Sequence, residues 1–467
     1  MKRPLRNIVS FGIGDAVSRL IGFLVSIYLA RVLAPASFGL ISVGLSVLGY
    51  LQLAASPGVQ FLETRNVAAA GQGWMERVAA VLTLRVLLAS ALMAATWVVI
   101  KLLPGDQPAE AVTMLYVVSL MPMAFFLDWF FQGKENILVV SLARIFQFVL
   151  YGVSALLLVR SAEDVIFAPM AFLAGNWAAG ITFVVFYLRE FKYFAWTWNP
   201  PLWKRIFREN LAVGAAVLLG QMVTSLPPLV IAATVSLAAV GWYSAAMKLV
   251  FAVLFFDRLL NALLLPAVTR YMSSRREDVT LLLQTLLKLL AVVFAPLIVV
   301  SILLAPWLIT WVFGMEYGEA VPALRVLLVY AFATLVNSVF VCTIMGAGSE
   351  TTYSRLMLWL SGVVVVAVVV LTPLAGIVGS SLAVLICEVV TVVLMAREAR
   401  KVVDLPPARA FIGAGVSLCV MIGAALLTTG LGMAVQAAVA VLAFSVAAFA
   451  ARAVTRREFR FLLERLV

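Results

Sequence analysis

Charged residues are scarce in this sequence. Of its 467 residues, 12% are charged and 64% are hydrophobic, and the mean hydropathy is +1.10. A soluble domain carries roughly a quarter charged residues, so a chain with about half that share cannot cover a water-facing surface. Apolar stretches of ~20 residues recur along the chain, which favours membrane-spanning helices over a barrel. The sequence therefore predicts an all-α integral membrane protein.

Histidine is absent and cysteine is rare, so the usual imidazole proton relay and the commonest metal ligand are excluded. Cys342, Cys387 and Cys419 lie in apolar segments without a CxxC spacing, which predicts small core residues rather than metal ligands or disulfides. No GxxxxGK[ST] phosphate-binding loop occurs, so we do not expect direct use of ATP. We predict no catalytic residue, metal site or cofactor.

Hydropathy predicts fourteen membrane spans joined by short loops. Asp15 and Arg19 interrupt the first apolar run, so we interpret it as a span and not as a cleaved secretory signal. The longest loop, 189–209, has no room for a folded domain. The predicted spans are 10–32, 38–60, 78–101, 111–131, 137–159, 165–188, 211–234, 241–266, 280–304, 321–343, 352–372, 375–396, 410–428 and 432–451.

Positive charge is distributed asymmetrically between the two sides. With the N-terminus inside, the inner segments hold 24 Lys and Arg residues and the outer segments hold 3. Such an excess marks the cytoplasmic side, so both termini are predicted to be cytoplasmic. The basic residues are spread over many short loops and form no single patch, so the sequence pI of 9.9 does not indicate nucleic-acid binding.

A weak internal repeat relates the two halves of the chain. Gly39 aligns with Gly241 and Ser42 with Ser244, each pair at the start of a span. Six spans per half would make parallel repeats about an axis along the membrane normal. The predicted division is a six-helix bundle at 1–188, an amphipathic cytoplasmic linker at 189–210, a second six-helix bundle at 211–400, and two further helices with a basic, amphipathic cytoplasmic tail at 401–467.

Apart from the Lys and Arg residues counted above for the two sides, eleven charged residues lie within the predicted spans. Each costs at least ~2.5 kcal/mol near the bilayer centre unless it has a partner, water or a route to the surface. Asp15 and Arg19 are four residues apart in the order that favours pairing, which is also compatible with a purely structural pair. Arg85, Asp128 and Lys288 lie close enough to the cytoplasmic side to extend toward it. Arg144 has no acid on its own helix and shares a face with Gln147.

The surplus of cations in the spans predicts an anionic substrate bound in a hydrated cavity between the two halves, because the planar arginine guanidinium binds phosphate well. The acids are candidates for ion coupling or for charge balance. The candidate substrate ligands are Arg19, Arg85, Arg144, Gln147, Lys248, Arg258 and Lys288, and the candidate coupling residues are Asp15, Asp257 and Glu388.

Two segments carry a family resemblance: GDAVSRLIGFLVSIYLARVLAPASFGLIS near the N-terminus and LAAVGWYSAAMKL after the midpoint. With fourteen spans and a basic N-terminus, the chain resembles the O-antigen and exopolysaccharide flippases, which belong to the superfamily of multidrug extrusion antiporters and lipid II flippases. The resemblance implies two six-helix bundles in the bacterial inner membrane. It also implies alternating-access transport of an undecaprenyl-diphosphate-linked oligosaccharide through a cationic cavity, driven by an ion gradient.

The candidate partners are the lipid-linked glycan, membrane lipids, a coupling proton or sodium ion, and other polysaccharide assembly proteins. A multidrug or cation antiporter would need acids and aromatic residues in its cavity, and the excess of cations argues against it. A lipid II flippase shares the span number and the cationic cavity, so the sequence separates it poorly. A membrane enzyme would need catalytic groups in large outer loops, and the outer loops here are small.

Overall fold

The structure, a computed structural model, describes residues 2–69, 74–102, 107–193, 196–272, 276–405 and 407–451. These residues form helices, turns and loops and contain no β-strand, as expected for an all-α membrane protein. Short 3-10 segments and one π segment, Leu290–Phe294, join some of the helices. The α-helices are α1 Lys2–Ala55, α2 Val59–Ala69, α3 Trp74–Leu102, α4 Gln107–Val118, α5 Leu120–Ala124, α6 Asp128–Gly133, α7 Ile137–Leu158, α8 Phe167–Phe191, α9 Pro200–Thr234, α10 Leu237–Met272, α11 Arg276–Leu289, α12 Ala295–Leu303, α13 Ala305–Phe313, α14 Val321–Gly346, α15 Glu350–Ala399, α16 Ile412–Leu427 and α17 Met433–Ala450.

Each of the fourteen predicted spans lies mainly on helical backbone. Eleven helical ranges in the described part are long and apolar enough to cross a membrane. Two of them, Gly14–Ala69 and Thr351–Ala399, each contain two predicted spans, and α9 covers the predicted span that those eleven ranges omit. The described chain divides into two compact units, Met1–Gly241 and Trp242–Val467. The predicted bundle boundaries at 188 and 211 remain a prediction.

The first two predicted spans form a hairpin inside α1. Ala34 has φ 58° and ψ 170°, which breaks the helix, and Pro35 follows it. Gly14 packs against Ser141, and the side-chain amide of Gln60 is hydrogen-bonded to that of Gln132. Residues 132 and 141 lie near the start of α7, so both ends of this hairpin lie at the same end of the first unit. The break at Ala34 thus lies between predicted spans 10–32 and 38–60.

A second hairpin occurs within α15. Ala375 and Gly376 leave the helical conformation, with φ 56° at the glycine. The hydroxyls of Thr372 and Ser380 are 2.6 Å apart. In a straight α-helix, residues separated by eight positions are about 12 Å apart along the axis, so the chain must reverse here. The break falls on the first two residues of predicted span 375–396, just after predicted span 352–372.

The fourth predicted span, 111–131, is interrupted, which its hydropathy did not indicate. α5 ends at Ala124, and α6 begins at Asp128. The turn between them, residues 125–127, is not helical. Aromatic packing surrounds this region, because Trp129, Phe130 and residues from α3 and α8 form a buried cluster. The interruption therefore lies inside protein, where membrane proteins tolerate non-helical backbone.

The second unit has its own apolar core. Its main cluster joins α10, α11, α14 and α15 around residues such as Leu264, Leu286 and Val339. α16 and α17 pack together through Met421 and Phe444, with partly buried side chains of the π segment and α12 against them. This pair accounts for predicted spans 13 and 14.

The predicted linker is partly helical. α9 begins at Pro200 with Asn199 as its N-cap, whose side chain accepts a hydrogen bond from the Leu202 amide at 3.2 Å. From there the helix continues without interruption through the seventh predicted span. Trp196 and Trp198 before it are exposed, as expected for residues at a headgroup layer. The predicted amphipathic tail at 455–467 lies outside the described residues.

A reciprocal glycine contact closes the first unit near the start of α10. A Cβ at Gly39 would overlap the carbonyl oxygen of Leu237, and a Cβ at Gly241 would overlap that of Pro35. Both glycines therefore allow a backbone approach that no other residue permits. The same two glycines are equivalent in the predicted repeat, and a shift of 202 residues carries Pro35 onto Leu237 as well. Each glycine therefore contacts the residue that, in the other repeat, is equivalent to the one its partner glycine contacts.

We predict that Gly39→Ala destabilises the protein. The added methyl group meets backbone, which cannot move aside as a side chain can, so the loss should be about 1–3 kcal/mol, as for overpacking elsewhere. Thermal unfolding of the detergent-purified protein measures it. Gly220→Ala in α9 is the control, because a Cβ there meets nothing within 4 Å. Equal unfolding temperatures for the two variants would contradict this account of the contact.

Candidate functional site

One carboxylate in the first unit is shared by two arginines from different helices. Arg19 Nε lies 2.6 Å from Asp15 Oδ2, and Arg144 Nη1 lies 3.0 Å from Asp15 Oδ1. We call this cluster the Arg–Asp–Arg grip. Its side chains are 40% (Arg19), 32% (Arg144) and 22% (Asp15) exposed, so the described residues do not enclose them fully. Two cations and one anion leave a net charge of +1.

The packing of α1 on α7 places these three side chains together. Gly14 lies against Ser141 and Gly22 against the Phe148 ring, so small residues let the helices approach closely. At the other end of the pair, the Tyr28 hydroxyl donates to the carbonyl oxygen of Val159 at 2.6 Å. With both ends held, the position of Arg144 opposite Asp15 is fixed. The sequence analysis named Asp15 as a candidate coupling residue and Arg144 as a candidate substrate ligand, and the structure shows that the two side chains form an ion pair.

Gln147, one turn beyond Arg144 on α7, binds a residue that the sequence analysis missed. Its side-chain nitrogen donates to Asn176 Oδ1 of α8 at 3.0 Å. Asn176 is fully buried and donates in turn to the carbonyl oxygen of Phe172 at 2.8 Å. An asparagine in an otherwise apolar helix is the signal that could have identified it, since buried amides need partners.

Arg85 bonds to backbone. Its two terminal nitrogens donate to the carbonyl oxygens of Phe126 at 2.6 Å and Met123 at 2.7 Å, at the interruption before α6. The side chain is buried, and its Nε has no hydrogen-bond partner in the described part of the chain. Arg85 therefore supplies donors for carbonyls at a helix break. Its predicted role as a substrate ligand remains a prediction.

A second ionic network in the first unit was not anticipated. Glu63 is fully buried and accepts from Arg77 Nε at 2.7 Å, Arg77 Nη2 at 2.9 Å and Asn210 Nδ2 at 2.9 Å. Arg77 also contacts Glu209 at 2.6 Å, and Arg205 pairs with Glu209 at 2.9 Å. The network ties α2 and the start of α3 to α9. The Arg77 guanidinium, and after it Arg205, lowers the pKa of the Glu209 carboxyl below its ordinary value.

Two carboxylates of the second unit bind neutral donors. Ser338 Oγ donates to Asp257 Oδ1 in a very short hydrogen bond, and Asn261 Nδ2 lies 3.2 Å from Asp257 Oδ2. The preceding residue on α14, Asn337, donates to Glu388 Oε1 at 2.9 Å, while its own Oδ1 is buried without a partner in the described residues. Each of the two predicted coupling residues thus accepts a hydrogen bond from a neutral side chain of α14.

The remaining predicted ligands are dispersed along the second unit. Lys248 on α10 forms no hydrogen bond or ion pair with the described residues. Arg258 follows Asp257 directly and acts on it through its charge. Lys288 lies in the last turn of α11, next to the π segment. Within the described residues, no group of three or more cysteines or carboxylates is arranged as a metal site.

The sequence profile of the family described as polysaccharide biosynthesis protein matches residues 5–272, more than half of the chain. This chain belongs to that family. The match contains the Arg–Asp–Arg grip and the network around Glu63. No curated protein sequence matches the chain significantly.

Solved membrane transporters share the fold. The lipid II flippase MurJ in an inward closed conformation superposes with a TM-score of 0.78 at 11% identity, over 95% of this chain and 99% of that one. An inward-facing multidrug resistance MATE family transporter of the MOP superfamily gives 0.62 at 15% identity, over 85% and 98%. A MATE crystal structure in complex with MaL6 gives 0.56 at 16% identity, over 85% and 96%. The predicted fold class, a multi-helix membrane protein of the extrusion-antiporter type, is confirmed.

We predict that Arg77→Ala is strongly destabilising. It would leave the Glu63 carboxylate buried without its cation, and loss of one partner of a buried pair typically costs about 3–5 kcal/mol. Lys101→Ala is the matched control, since it breaks the exposed pair Lys101–Glu110 and should cost less than about 1 kcal/mol. Chemical or thermal unfolding in detergent measures both. Similar losses in the two variants would contradict a structural role for the Glu63 network.

Proposed function

We propose that this protein is a flippase of the bacterial inner membrane with cytoplasmic termini, and not an enzyme. It would move undecaprenyl-diphosphate-linked oligosaccharide repeat units from the cytoplasmic to the outer leaflet for surface polysaccharide biosynthesis, by alternating access. The observation that carries the proposal is the Arg–Asp–Arg grip in a chain of the polysaccharide biosynthesis protein family. The excess of Lys and Arg on one side of the predicted spans supports the orientation.

The chemistry of the grip suits a diphosphate. Only one nitrogen each of Arg19 and Arg144 contacts Asp15, and a guanidinium carries five N–H donors in a planar fork. Asp15 holds the guanidiniums of Arg19 and Arg144 near each other. Its negative charge lowers the free-energy cost of placing two neighbouring cations in the membrane. A diphosphate carries more negative charge than this single carboxylate and would compete for the free donors. The grip would thus bind the anionic group that links the glycan to its lipid.

Lys248, Arg258, Lys288 and Arg85 stay as further proposed ligands. Lys248 has the strongest physical case, because it lies within a span with no hydrogen bond or ion pair to the described residues, and a lone intramembrane cation needs an anion or water. Arg85 has the weakest case, since two of its nitrogens already bind carbonyl oxygens.

The ion gradient would act through Asp257 and Glu388. Each carboxylate is hydrogen-bonded to neutral side chains, so a proton or a sodium ion could neutralise it there. Membrane lipids and other polysaccharide assembly proteins remain proposed partners, the lipids through exposed tryptophans such as Trp196 and Trp198.

A lipid II flippase is the second candidate, and the similarity to MurJ favours it. Both candidates would carry a polyprenyl diphosphate and would use the same grip. The family profile favours the polysaccharide substrate. Multidrug or cation antiport, suggested by the MATE neighbours, accords less well with the net positive grip.

Deletion and complementation test the proposed function. We expect the deletion strain to accumulate a lipid-linked oligosaccharide on the cytoplasmic side and to lose surface polysaccharide. Accumulation of lipid II would favour the second candidate. Unchanged surface polysaccharide together with increased drug sensitivity would refute the flippase proposal.

Arg144 provides the residue-level test. At equal expression, we expect Arg144→Ala to reduce complementation at least tenfold and Arg144→Lys to retain an intermediate level, because lysine keeps the charge but not the fork. Surface polysaccharide per cell is the measurement. Arg160→Ala is the control, since Arg160 is exposed just beyond the far end of the same helix. Full function of Arg144→Ala would show that the grip is not needed for transport.

Coupling is tested with the second-unit acids. In proteoliposomes, we expect Asp257→Asn to bind the lipid substrate normally and to lose acceleration by an imposed proton or sodium gradient, since a neutral amide cannot exchange the ion. Gradient-stimulated flipping of a fluorescent polyprenyl diphosphate glycan is the readout. A variant that still responds fully to both gradients would exclude Asp257 from coupling.

A further inference from the structure

A relay of hydrogen bonds links α8 to α7 one turn beyond the Arg–Asp–Arg grip. Asn176 Nδ2 donates to the carbonyl oxygen of Phe172, four residues earlier on α8, at 2.8 Å. Asn176 Oδ1 accepts from Gln147 Nε2 of α7 at 3.0 Å. Because Asn176 is fully buried, both ends of its amide are satisfied by protein groups.

The direction of this relay determines which end of the Gln147 amide stays available. A carbonyl oxygen can only accept, so Asn176 must turn its NH2 group toward Phe172 and its oxygen toward Gln147. That oxygen can also only accept, so Gln147 must present Nε2 to it. The opposite orientation of either amide would place two oxygens in contact. Gln147 Oε1 therefore points away from Asn176, and it accepts no hydrogen bond from the described part of the chain.

Close packing of α8 on α7 holds this amide pair in place. A Cβ at Gly175 would lie 2.5 Å from the carbonyl oxygen of Gln147 and 2.9 Å from the Cβ of Tyr151. The glycine thus allows the backbones to approach, which brings the short side chain of Asn176 within reach of Gln147. On the next turn, the rings of Tyr151 and Phe172 meet edge to face with centroids 5.5 Å apart. Packing and hydrogen bonding together fix the position of Gln147 Oε1 before any ligand binds.

The fixed acceptor lies beside the proposed diphosphate ligand Arg144. Residues three apart on a helix are neighbours, with Cβ atoms about 5–6 Å apart, and Gln147 follows Arg144 at this spacing. In a glycosyl diphosphate, the anomeric carbon that carries the phosphate has two ring neighbours, the ring oxygen and C2. The ring oxygen can only accept, whereas a hydroxyl or an acetamido N–H at C2 can donate. The sugar donor nearest the diphosphate is therefore the C2 group, and Gln147 Oε1 is an acceptor suited to it.

We propose that Asn176 is a positioning residue for sugar specificity: it holds Gln147 so that Oε1 accepts a hydrogen bond from the C2 group of the sugar attached to the diphosphate. The inference rests on the proposed function for the diphosphate-linked glycan, and on the two bonds of Asn176 for the direction of the Gln147 amide. It adds a preference for 2-hydroxy and 2-acetamido sugars over 2-deoxy sugars, because a 2-deoxy sugar leaves the acceptor unpaired.

Binding of matched lipids tests this preference. Purified protein in nanodiscs is titrated with undecaprenyl diphosphate that carries glucose, 2-deoxyglucose or no sugar. We expect the wild type to bind the glucose lipid about tenfold more tightly than the 2-deoxyglucose lipid, as for one hydrogen bond between uncharged groups. Asn176→Leu, which removes the amide at similar volume, and Gln147→Leu should each bring the ratio of the two dissociation constants close to unity.

Two further variants separate positioning from a general structural role. The double variant Asn176→Leu/Gln147→Leu should show the same ratio as either single variant, because both residues act through one hydrogen bond to the sugar. In Asn176→Asp, burial favours the protonated carboxyl, which can donate to Phe172 and accept from Gln147 as the amide does. This variant should therefore keep the preference. Thr182→Val is the control on α8, since the Thr182 hydroxyl bonds to the Ala178 carbonyl oxygen of its own helix, and it should keep the wild-type ratio.

The lipid without sugar is the internal reference for each variant. If the wild type binds all three lipids without distinguishing glucose from 2-deoxyglucose, the inference is wrong while the proposed function stands. An undiminished preference in Asn176→Leu, or a preference lost equally in Asn176→Asp and Asn176→Leu, would also overturn it. If the wild type binds none of the three lipids, the proposed function fails and the inference fails with it.

Discussion

The cost of an ionised group inside the bilayer governs how this protein arranges its polar side chains. Asp15 is shared by Arg19 and Arg144, each through one nitrogen. The pairing keeps two guanidiniums in a membrane span at a tolerable cost, yet the sharing leaves one positive charge without its own counter-ion. The proposed anion would be attracted by that imbalance, while the carboxylate stabilises the two arginines when no anion is bound.

The same constraint explains why the buried polar residues of the first unit are paired with one another or with carbonyl oxygens. Arg85 supplies donors to carbonyl oxygens at the interruption before α6, and Asn176 completes the amide pair with Gln147. Glu63 is buried only because Arg77 and Asn210 meet it from two other segments. Each of these groups has a partner contributed by a distant part of the chain. In the first unit, the packing of the helices and the pairing of their polar side chains therefore depend on each other.

Sequence reasoning predicted the spans well because hydropathy and helix length are local properties. It also placed a span boundary at residues 33–37, and it named Asp15, Arg19 and Arg144 as residues of interest. It could not predict the bond between Asp15 and Arg144, which are 129 positions apart, or the break before α6, where apolar residues continue through the turn. The network of Glu63, Arg77 and Glu209 was missed because hydropathy assigned all three residues to loops.

The break before α6 also sets the rotational phase of that helix. In an unbroken helix each residue advances about 100° around the axis, so the direction of residue 128 would be determined by that of residue 118. The non-helical turn between Ala124 and Asp128 removes that relation, and the carbonyl contacts of Arg85 hold the turn in place. Arg85 thus affects the orientation of Asp128 indirectly. Because its hydrogen bonds keep the turn before α6 unwound, they help to determine which neighbours the Asp128 carboxylate meets.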